Sequence, residues 1–485
     1  LVSSLPSDRA HSVMAEGGIN AALNTKDEND SPEEHFTDTI KAACGLADPN
    51  AVWGMTQAAP ELVHWLLKLG VKFNMSGYDD VDLRNFGGQK KKRTAFAQSD
   101  TGKQIMTAMI DAVRRKEASG MVERFSHHSF LTLRLCGNIC CGCVIRDEYS
   151  QETVELPGDA VIVATGGMHG LFGNTTGSLS NTGEVTAELF RLGVPLANGE
   201  MIQYHPTTVK CGGKRMLISE AARGEGGRLF AMKDGKQWYF MEEKYPELGN
   251  LMPRDITARE IWKVSHESEV FLDMTEISEE IISNKLSGLA DDCMTYLHKD
   301  IRKEPVSVLP GIHYFMGGIL VDEQHRTPIQ NLCAAGECCA QYHGANRLGG
   351  NSLLGALYGG RVAAKSACEQ ADVVDLSCAT QIDFPPASQI SEIKQLNKVM
   401  QETMGVVRNE NTLLNGIQTV QALTGNLPLL GMAVLKSALA RKESRGAHWR
   451  EDYPKSNDDD YLKTTVARFD GKQIQISFVP VPERR

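Results

Sequence analysis

No apolar run in this sequence approaches the roughly 20 residues that a membrane-spanning helix requires. The longest candidate, Leu427–Leu435, contains Pro428 and Gly431 and is followed by Lys436. The sequence therefore predicts a chain that does not cross a bilayer, although it can dock on something that does. No secretory signal peptide is present, but the first residue is not Met, so we expect the true N-terminus to lie upstream.

Positive charge is scarce as well. Lys and Arg number 51 against 61 Asp and Glu, which gives a net charge of −10. This balance argues against nucleic acid as the main partner. The one dense basic run, Lys90–Arg93, follows Gly87-Gly88 and is predicted to be a solvated loop.

Cysteines are too few for a disulfide framework, with twelve irregularly spaced in 485 residues. The densest group lacks the two separated CxxC pairs of a zinc or iron–sulfur site. Its segment, residues 131–146, alternates like two strands around Gly137-Asn138 and so favours a β-hairpin with structural cysteines over a metal site. The group consists of Cys136, Cys140, Cys141 and Cys143. Reduced thiols indicate a cytoplasmic-type compartment.

The chain is long enough for two to four domains with a large core. Periodicity predicts helices over residues 34–48, 51–69, 101–116, 390–405 and 429–444, and short strands over 462–481. Pro60 is expected to restart the second helix, and Gly70 to end it.

Two apolar runs end in glycine turns. Residues 160–165 precede Gly166-Gly167, and residues 332–335 precede Gly336-Glu337. Such runs are typical of parallel strands, and ligands lie at the carboxyl ends of strands in open α/β sheets. Both turns are therefore candidate cofactor sites.

Five short motifs place a cationic or donor side chain beside Gly or Pro. Arginine can grip a carboxylate with two parallel hydrogen bonds, and glycine permits close approach of a ligand. Together they predict a localised positive pocket for a small dianion. The motifs are Gln203–Thr207, Ser219–Gly227, Pro253–Asp255, His313–Gly318 and His343–Gly349.

A further motif near the start is Arg9-Ala10-His11-Ser12, followed by Ala15-Glu16-Gly17-Gly18. The chain resembles the flavoprotein subunit of the succinate dehydrogenase/fumarate reductase family, of which L-aspartate oxidase is a close relative, and at least seven motifs along it fall in that family's order. The family has Arg-Ser-His-Thr at the first motif, and its histidine carries FAD covalently. The resemblance therefore implies FAD attached through His11.

The resemblance implies further FAD contacts along the chain. Glu184 takes the place of a family Asp, and Glu337 suits hydrogen bonds to ribitol or ribose hydroxyls. The cofactor-binding set is His11, Ser12, Gly17, Gly18, Thr165, Gly166, Gly167, Glu184, Glu337, Ser352 and Leu353. The G-x-G-x-x-G fingerprint that should precede His11 is absent, so we expect further N-terminal residues upstream of Leu1; the alternative is a real truncation.

The family moves two electrons between flavin and the central carbons of succinate and fumarate. The resemblance implies that Arg254 exchanges the proton, with Glu220 and Glu225 available for a relay. Arg223 is expected to be structural or part of that relay, and His343 to pack beside Arg347. The implied substrate-binding residues are His205, Ser219, His313 and Arg347. His127 and His128 have no motif support and are expected to be ordinary polar residues.

The C-terminal motifs at residues 441–448, 450–454 and 458–463 match the form found in multisubunit reductases. They imply that electrons pass to an iron–sulfur subunit and a quinone-binding membrane anchor. The chain would then be peripheral, on the cytoplasmic or matrix-type face of a membrane. No CxxCH haem motif occurs in the sequence.

The expected fold is α/β, with a discontinuous Rossmann-like FAD-binding domain over residues 1–197 and 314–375. An inserted α+β capping domain covers 198–313, a helical domain 388–448, and a tail with short strands 449–485. L-aspartate oxidase remains the main alternative function, since Leu217–Ala221 resembles that enzyme, whereas His11 and the tail do not. A non-catalytic flavoprotein scaffold is disfavoured because Arg254, His313 and Arg347 are all present.

Overall fold

The computed structural model describes residues 1–77, 80–370, 384 and 389–485, and it mixes helices and strands along the whole chain. Within these residues no helix is both long enough and apolar enough to cross a membrane. The α-helices are α1 Pro32–Ala42, α2 Pro49–Leu69, α3 Thr101–Ala118, α4 Glu184–Arg191, α5 Glu220–Gly224, α6 Phe240–Lys244, α7 Arg254–Val264, α8 Glu279–Lys285, α9 Ser287–Asp292, α10 Asn351–Gln370, α11 Ile390–Thr403, α12 Glu410–Val420, α13 Asn426–Ala440 and α14 Asp458–Tyr461.

The strands form several small sheets rather than one large one. They are β1 Val2–Ser3, β2 Ile19–Asn20, β3 Leu83–Arg84, β4 Thr94–Ala95, β5 Phe125–Ser126, β6 His128–Cys136, β7 Ile139–Asp147, β8 Thr153–Pro157, β9 Val161–Val163, β10 Leu196–Ala197, β11 Ile202–Cys211, β12 Lys214–Leu217, β13 Arg228–Lys233, β14 Lys236–Trp238, β15 Val270–Asp273, β16 Val306–Ser307, β17 Leu309–Phe315, β18 Gly318–Leu320, β19 Leu332–Ala334, β20 Cys339–Ala340, β21 Lys463–Phe469 and β22 Ile474–Pro480.

Capping residues set the bounds of the N-terminal helices. Asp48 Oδ1 accepts hydrogen bonds from the first backbone amides of α2, so a new helix begins there and α1 already ends at Ala42. The prediction of one helix over residues 34–48 is therefore wrong in its second half. Gly70 ends α2 as expected, in the left-handed conformation with φ of 101°.

Pro60 lies inside α2, which continues through it. The predicted restart of the helix at this proline is therefore wrong. The helix has a continuous buried face on both sides of Pro60, including Met55, Leu62 and Leu66. We infer that this packing compensates for the backbone hydrogen bond that proline cannot make.

The two apolar runs that end in glycine turns are neighbouring parallel strands. Val161–Val163 of β9 pairs with Leu332–Ala334 of β19 in parallel register, so both turns lie at the same edge. The prediction of parallel strands is confirmed. Burial is incomplete, because Ile162 is 42% exposed.

The cysteine-rich segment is the predicted β-hairpin. Strands β6 and β7 pair in antiparallel register around Gly137, whose φ is 58°. Ten cysteines among the described residues are free thiols, but Cys136 is disulfide-bonded. The expectation of reduced thiols is therefore wrong at this position.

The basic run Lys90–Arg93 is not simply a solvated loop. Arg93 is fully buried, and its guanidinium lies 2.9 Å from Asp30 and 3.0 Å from Asp38. Its two acidic partners, about sixty residues earlier in the chain, compensate for the cost of burying its charge. The prediction holds for Lys90, which is exposed, and is wrong for Arg93.

Apolar clusters organise the rest of the chain. One, between residues 218 and 308, packs β13, β15 and neighbouring helices on each other, with Phe86 as its member from the N-terminal part. This cluster lies within the predicted capping domain, residues 198–313. A second cluster joins α11, α12 and α13 to α4 and β17.

The C-terminal helices begin close to their predicted positions. Helix α11 ends at Thr403 and α13 at Ala440, and β21 and β22 form the predicted terminal strands. The predicted end of the second FAD-binding segment at residue 375 and the predicted start of the helical domain at residue 388 lie outside the described residues.

The C-terminal motif contains a network of buried ion pairs. Arg441 donates to Glu200 and Glu443, each at 2.7 Å, and Arg445 also donates to Glu443, at 2.8 Å. Next to this network the backbone amide of Ala447 donates to the carbonyl oxygen of Ala345, at 2.9 Å. The C-terminal segment thus supports the backbone of the motif that precedes Arg347.

Candidate active site

Arg254 begins helix α7 and is almost fully buried. Its Nε and one terminal nitrogen donate to Oε2 of Glu220, at 2.8 and 2.6 Å. The other oxygen of Glu220 accepts from Arg223, at 3.2 Å, and from the backbone amide of Gly87, at 3.2 Å. One carboxylate therefore joins two guanidinium groups in a protein interior.

Glu220 is held in its charged form by these neighbours. Burial on its own would raise the pKa of Glu220, but the positive charges of Arg254 and Arg223 lower it below its ordinary value. Arg223 also donates to the carbonyl oxygen of Asn250, at 2.6 Å. Glu225, the other predicted relay acid, instead pairs with Lys285 at 3.2 Å.

The two candidate histidines lie against each other. The ring centroids of His205 and His313 are 5.1 Å apart, on the adjacent strands β11 and β17. Nδ1 of His205 contacts the backbone oxygen of Thr207 at 3.1 Å, and Nδ1 of His313 contacts Oγ1 of Thr176 at 2.8 Å. These contacts orient each ring and leave Nε2 as the nitrogen that can meet a substrate.

Both histidines are neutral at physiological pH. Burial lowers the pKa of His205 well below its ordinary value, and the positive charge of Arg254 lowers it further. Burial, followed by the neighbouring His205, does the same to the pKa of His313. The pair can therefore make hydrogen bonds to a substrate without adding charge to the site.

Arg347 is the second buried cation of the candidate site, after Arg254. Its guanidinium carbon lies 4.4 Å from the ring centre of Tyr314, and its Nε has no hydrogen-bond partner among the described residues. Burial and the charge of Arg254 lower the pKa of Arg347 to about 9. His343 packs against the same tyrosine, with ring centroids 5.3 Å apart, so it is a packing neighbour of Arg347 as expected.

Gln203 and Asn346 connect these two arginines, a link that the sequence did not predict. Gln203 accepts a hydrogen bond from Arg254 at 3.1 Å and donates to the Arg347 carbonyl oxygen at 2.8 Å. It also donates to Asn346 at 2.9 Å, and Asn346 donates to Asp255 at 3.1 Å. Gln203 belongs to the motif Gln203–Thr207 and Asn346 to the motif His343–Gly349. Nothing in the sequence distinguishes either amide from the other residues of its motif.

Ser219 caps helix α5 immediately before Glu220. Its hydroxyl accepts from the backbone amide of Ala221 at 3.4 Å and lies close to Glu16. Burial and the charge of Asp292 raise the pKa of Glu16 to about 8. Glu16 stands in the motif that follows His11, so Ser219 lies beside that segment.

His11 lies in a group of aromatic and acidic side chains. Its ring is 5.6 Å from that of His169, and His169 in turn lies 3.7 Å from a carboxylate oxygen of Glu337. Burial and His169 lower the pKa of His11 to about 4, so its imidazole is unprotonated at neutral pH. Phe315 donates its backbone amide to Glu337 at 3.0 Å. His169 had no motif signal and was missed.

The segment after His11 is hydrogen-bonded to the start of α10. Asn20 donates to the Gly349 carbonyl oxygen and to Asn351, each at 2.7 Å. The segment containing Gly17 and Gly18 therefore lies beside the one with Ser352 and Leu353. A side chain at Gly18 would place Cβ 2.5 Å from the Ala95 carbonyl oxygen, so glycine is required there.

Thr165, Gly166 and Gly167 lie at the edge formed by β9. Thr165 is exposed, whereas Gly167 is buried so close to Glu337 that an added Cβ would lie 2.6 Å from its carboxylate. Ser12 lies in the short helical turn that contains His11. Glu184 stands apart, exposed at the start of α4, and its charged neighbours are Arg146 and Glu148.

The buried charged side chains of the site carry more positive than negative charge. Arg223, Arg254 and Arg347 carry three positive charges, Glu220 pairs with two of them, and the charge of Glu337 also acts on Arg347, so the site keeps a positive excess. The adjacent histidines are neutral. A small dicarboxylate is attracted by this excess, and guanidinium groups suit carboxylates geometrically.

Comparisons with known proteins identify the class of this chain. The FAD binding domain family matches residues 1–353, and the fumarate reductase flavoprotein C-terminal family matches residues 423–484. The protein is an FAD-binding oxidoreductase, and it belongs to the family of succinate dehydrogenase and fumarate reductase flavoprotein subunits. The predicted family, α/β fold and FAD cofactor are therefore confirmed.

Individual relatives cover nearly the whole chain. The succinate dehydrogenase flavoprotein subunit of Bacillus subtilis is 37% identical, over 100% of this chain and 93% of the relative. The 8-methylmenaquinol:fumarate reductase flavoprotein subunit of Wolinella succinogenes is 31% identical, over 100% of this chain and 88% of the relative. The structure of FrdA from Escherichia coli quinol fumarate reductase superposes with a TM-score of 0.90 at 27% identity, covering 99% of this chain and 92% of that one.

The residues around His11 fit a flavin. The unprotonated His11 imidazole is a nucleophile that can bond to carbon, and His169 Nε2 is buried without a hydrogen-bond partner in the described parts of the chain. Arg347 Nε and His343 Nδ1 are in the same condition. Unsatisfied buried polar atoms of this kind are typical of a site built to receive a ligand.

Proposed function

We propose that the protein interconverts fumarate and succinate. The observation that carries this proposal is the buried pair of guanidinium groups, Arg254 and Arg347, beside two neutral histidines, His205 and His313. FAD supplies or accepts the hydride when bound. The protein groups hold the dicarboxylate, exclude water and move a proton.

Arg347 binds one substrate carboxylate. Its guanidinium is fixed by packing on Tyr314, and its Nε has no described protein partner, so its donors are free for a bidentate contact. His205, His313 and Ser219 hold the substrate from other directions. Clamping of this kind orients the alkene and can twist a carboxylate out of conjugation, and positioning can supply several kcal/mol of a barrier.

Arg254 donates the proton to fumarate and takes it back from succinate. A free guanidinium hardly deprotonates, so this role requires neighbours that disfavour its charge and return its proton. Arg347 is the nearby buried cation, and the Arg254–Glu220–Arg223 hydrogen bonds are the proposed proton path. Glu225, which pairs with Lys285, is left outside this path.

His11 carries FAD covalently in this proposal. Its unprotonated imidazole is the nucleophilic form, which would hold the cofactor through the flavin methyl carbon. Gly17, Gly18, Ser352 and Leu353 lie together and would contact the flavin ring, as their positions in the family imply. Ser12, Thr165, Gly166, Gly167, Glu184 and Glu337 complete the proposed cofactor contacts.

The proposed assembly follows from the family. Electrons are exchanged with an iron–sulfur subunit and, through a membrane anchor, with quinone. The chain is then peripheral on the cytoplasmic or matrix-type face of a membrane. Residues 198–313 act as a capping domain over the substrate, between the two FAD-binding segments.

Substitution of Arg254 tests this function. Arg254→Ala is expected to abolish fumarate reduction by the flavin-loaded protein while fumarate or malonate still perturbs the flavin absorbance. The control is Arg302→Ala, which removes a partly exposed arginine paired with Glu279. Wild-type turnover in Arg254→Ala would remove Arg254 from the catalytic role, and oxidation of aspartate instead of succinate by the wild type would identify an L-aspartate oxidase.

A further inference from the structure

Gln203 is the buried polar residue at the centre of the site that the proposed mechanism leaves without a role. It lies on β11 directly opposite Tyr314 of β17. Its amide oxygen accepts from Arg254, and its amide nitrogen donates to both Asn346 and the carbonyl oxygen of Arg347. A single side chain therefore contacts the start of α7 and the loop that carries Arg347.

These contacts close a ring of hydrogen bonds. Arg254 donates to Gln203, Gln203 to Asn346, and Asn346 to Asp255, which is the residue after Arg254 on α7. The distances are 3.1, 2.9 and 3.1 Å. Such a ring fixes the position of the Arg254 backbone and side chain relative to the 343–349 loop at the same time.

We propose that Gln203 is a positioning and specificity-determining residue for a dianionic substrate. It holds Arg254 and Arg347 at a fixed separation, and its neutral amide leaves the positive excess of the site undiminished. This inference rests on the proposed function, because it assigns Gln203 a part in binding and protonating a dicarboxylate.

An amide is the group that this position requires. It accepts from the Arg254 guanidinium and offers two donors to oxygen atoms, whereas an ionised carboxylate could only accept. With glutamate at position 203, the contacts to Asn346 and to the Arg347 carbonyl oxygen would place oxygen against oxygen. A hydrocarbon side chain would leave all three partners unsatisfied in a buried place.

Charge gives the second reason for a neutral residue. Three guanidinium groups outnumber the carboxylates Glu220 and Glu337, which leaves the site positive, the sign that a dianion such as fumarate requires. Glutamate at position 203 would reduce that excess by one charge. Coulomb interactions are strong in a buried site, so a dianion would lose more binding than a monoanion of the same shape.

The experiment compares Gln203→Glu and Gln203→Met with the wild type, each as the flavin-loaded protein with its flavin content and melting temperature measured. Binding of fumarate and of monomethyl fumarate is followed by flavin absorbance, and kcat is measured for fumarate reduction with a reduced viologen dye. Gln57→Glu is the control, because it makes the same chemical change on the exposed side of α2.

Gln203→Glu is expected to weaken fumarate binding at least about 10-fold more than monomethyl fumarate binding. Gln203→Met is expected to lower kcat about 100-fold, with the ratio of the two binding constants unchanged, because it misplaces the arginines without altering charge. If Gln203→Met does not fold, Gln203→Asn replaces it, since a shortened neutral amide should also lower kcat at an unchanged ratio.

An unchanged binding ratio in Gln203→Glu, or wild-type kcat in both neutral variants, would overturn the proposal for Gln203. A mere packing role would lower flavin content and melting temperature and leave the ratio unchanged. A wild-type protein that does not reduce fumarate contradicts the proposed function, whereas an active wild type with an unaltered ratio contradicts only the role of Gln203.

Discussion

Replacing Glu220 by glutamine removes the one carboxylate shared by Arg254 and Arg223 while preserving its shape. Glu220 is buried, and its oxygens lie 2.6 Å from Arg254 and 3.2 Å from Arg223. Breaking a buried ion pair on one side costs about 3–5 kcal/mol, because the remaining charge is left uncompensated. Here two guanidinium groups lose their partner, so we expect Glu220→Gln to lower the free energy of unfolding by at least that amount.

The pH dependence of this loss follows from the lowered pKa of Glu220. A carboxyl group with a folded pKa below its unfolded value of 4.5 stabilises the fold above pH 4.5, and the contribution disappears as pH falls through the folded pKa. The difference in stability between wild type and Glu220→Gln should therefore be full at neutral pH and shrink on acidification below about pH 4.5.

Activity should fall together with stability. If Glu220 passes the proton to Arg254, its replacement should lower kcat for fumarate reduction roughly 100- to 10,000-fold, the usual range for general acid–base catalysis. Urea unfolding of the flavin-loaded protein measures the stability, and a reduced viologen dye measures turnover.

Glu279→Gln serves as the control, because this exposed glutamate pairs with Arg302 at the surface. We expect it to leave both the unfolding transition and turnover as in the wild type. Wild-type kcat together with an unchanged unfolding transition in Glu220→Gln would refute the central place given to this carboxylate.

Three further substitutions test separate parts of the account. Arg347→Lys should raise the KM for fumarate roughly 10- to 100-fold with FAD retained, because lysine cannot make the bidentate contact; an unchanged KM in steady-state assays would contradict this. Glu16 has a pKa of about 8 in the fold, so the native protein holds an extra proton and should lose stability as pH rises from 4.5 to 8. Melting curves of Glu16→Gln should lack that slope, and an identical slope would refute it. Arg441→Met should cost about 3–5 kcal/mol in urea unfolding by leaving Glu200 and Glu443 buried without their shared cation, and a loss below about 1 kcal/mol would contradict it.

The sequence predicted the fold class and the approximate positions of α2, α3, α11 and α13 because their signals are local. Helix α3 begins at Thr101 and the hairpin turns at Gly137, as periodicity and turn residues indicated. Two of the errors occurred where tertiary packing decides the outcome. Arg93 is buried because Asp30 and Asp38 lie beside it, and Pro60 stays within α2 because the flanking turns are packed.

The candidate site shows the same division. The resemblance named His205, His313, Arg254 and Arg347, and the structure places them together although they are spread over more than 140 residues. Their connections were not predictable. Gln203 looks like any motif residue until its amide is seen between the two arginines.

His169 was missed for a related reason. It stands in no motif of the family, and a single histidine after a glycine turn carries no functional signal by itself. The folded structure places it between His11, Phe315 and Glu337, and its importance comes from these contacts. A packing partner of this kind can be identified only from the structure.

Anaerobic re-oxidation of the protein-bound flavin tests the proposed function most directly. The flavin-loaded protein is reduced with dithionite, and its absorbance is followed after adding fumarate; the oxidised form is separately mixed with succinate or with aspartate. We predict that fumarate restores the oxidised flavin spectrum and that succinate, but not aspartate, bleaches it. Reduction of the flavin by aspartate, or a reduced flavin that fumarate leaves unchanged, would contradict the assignment of this site to fumarate and succinate.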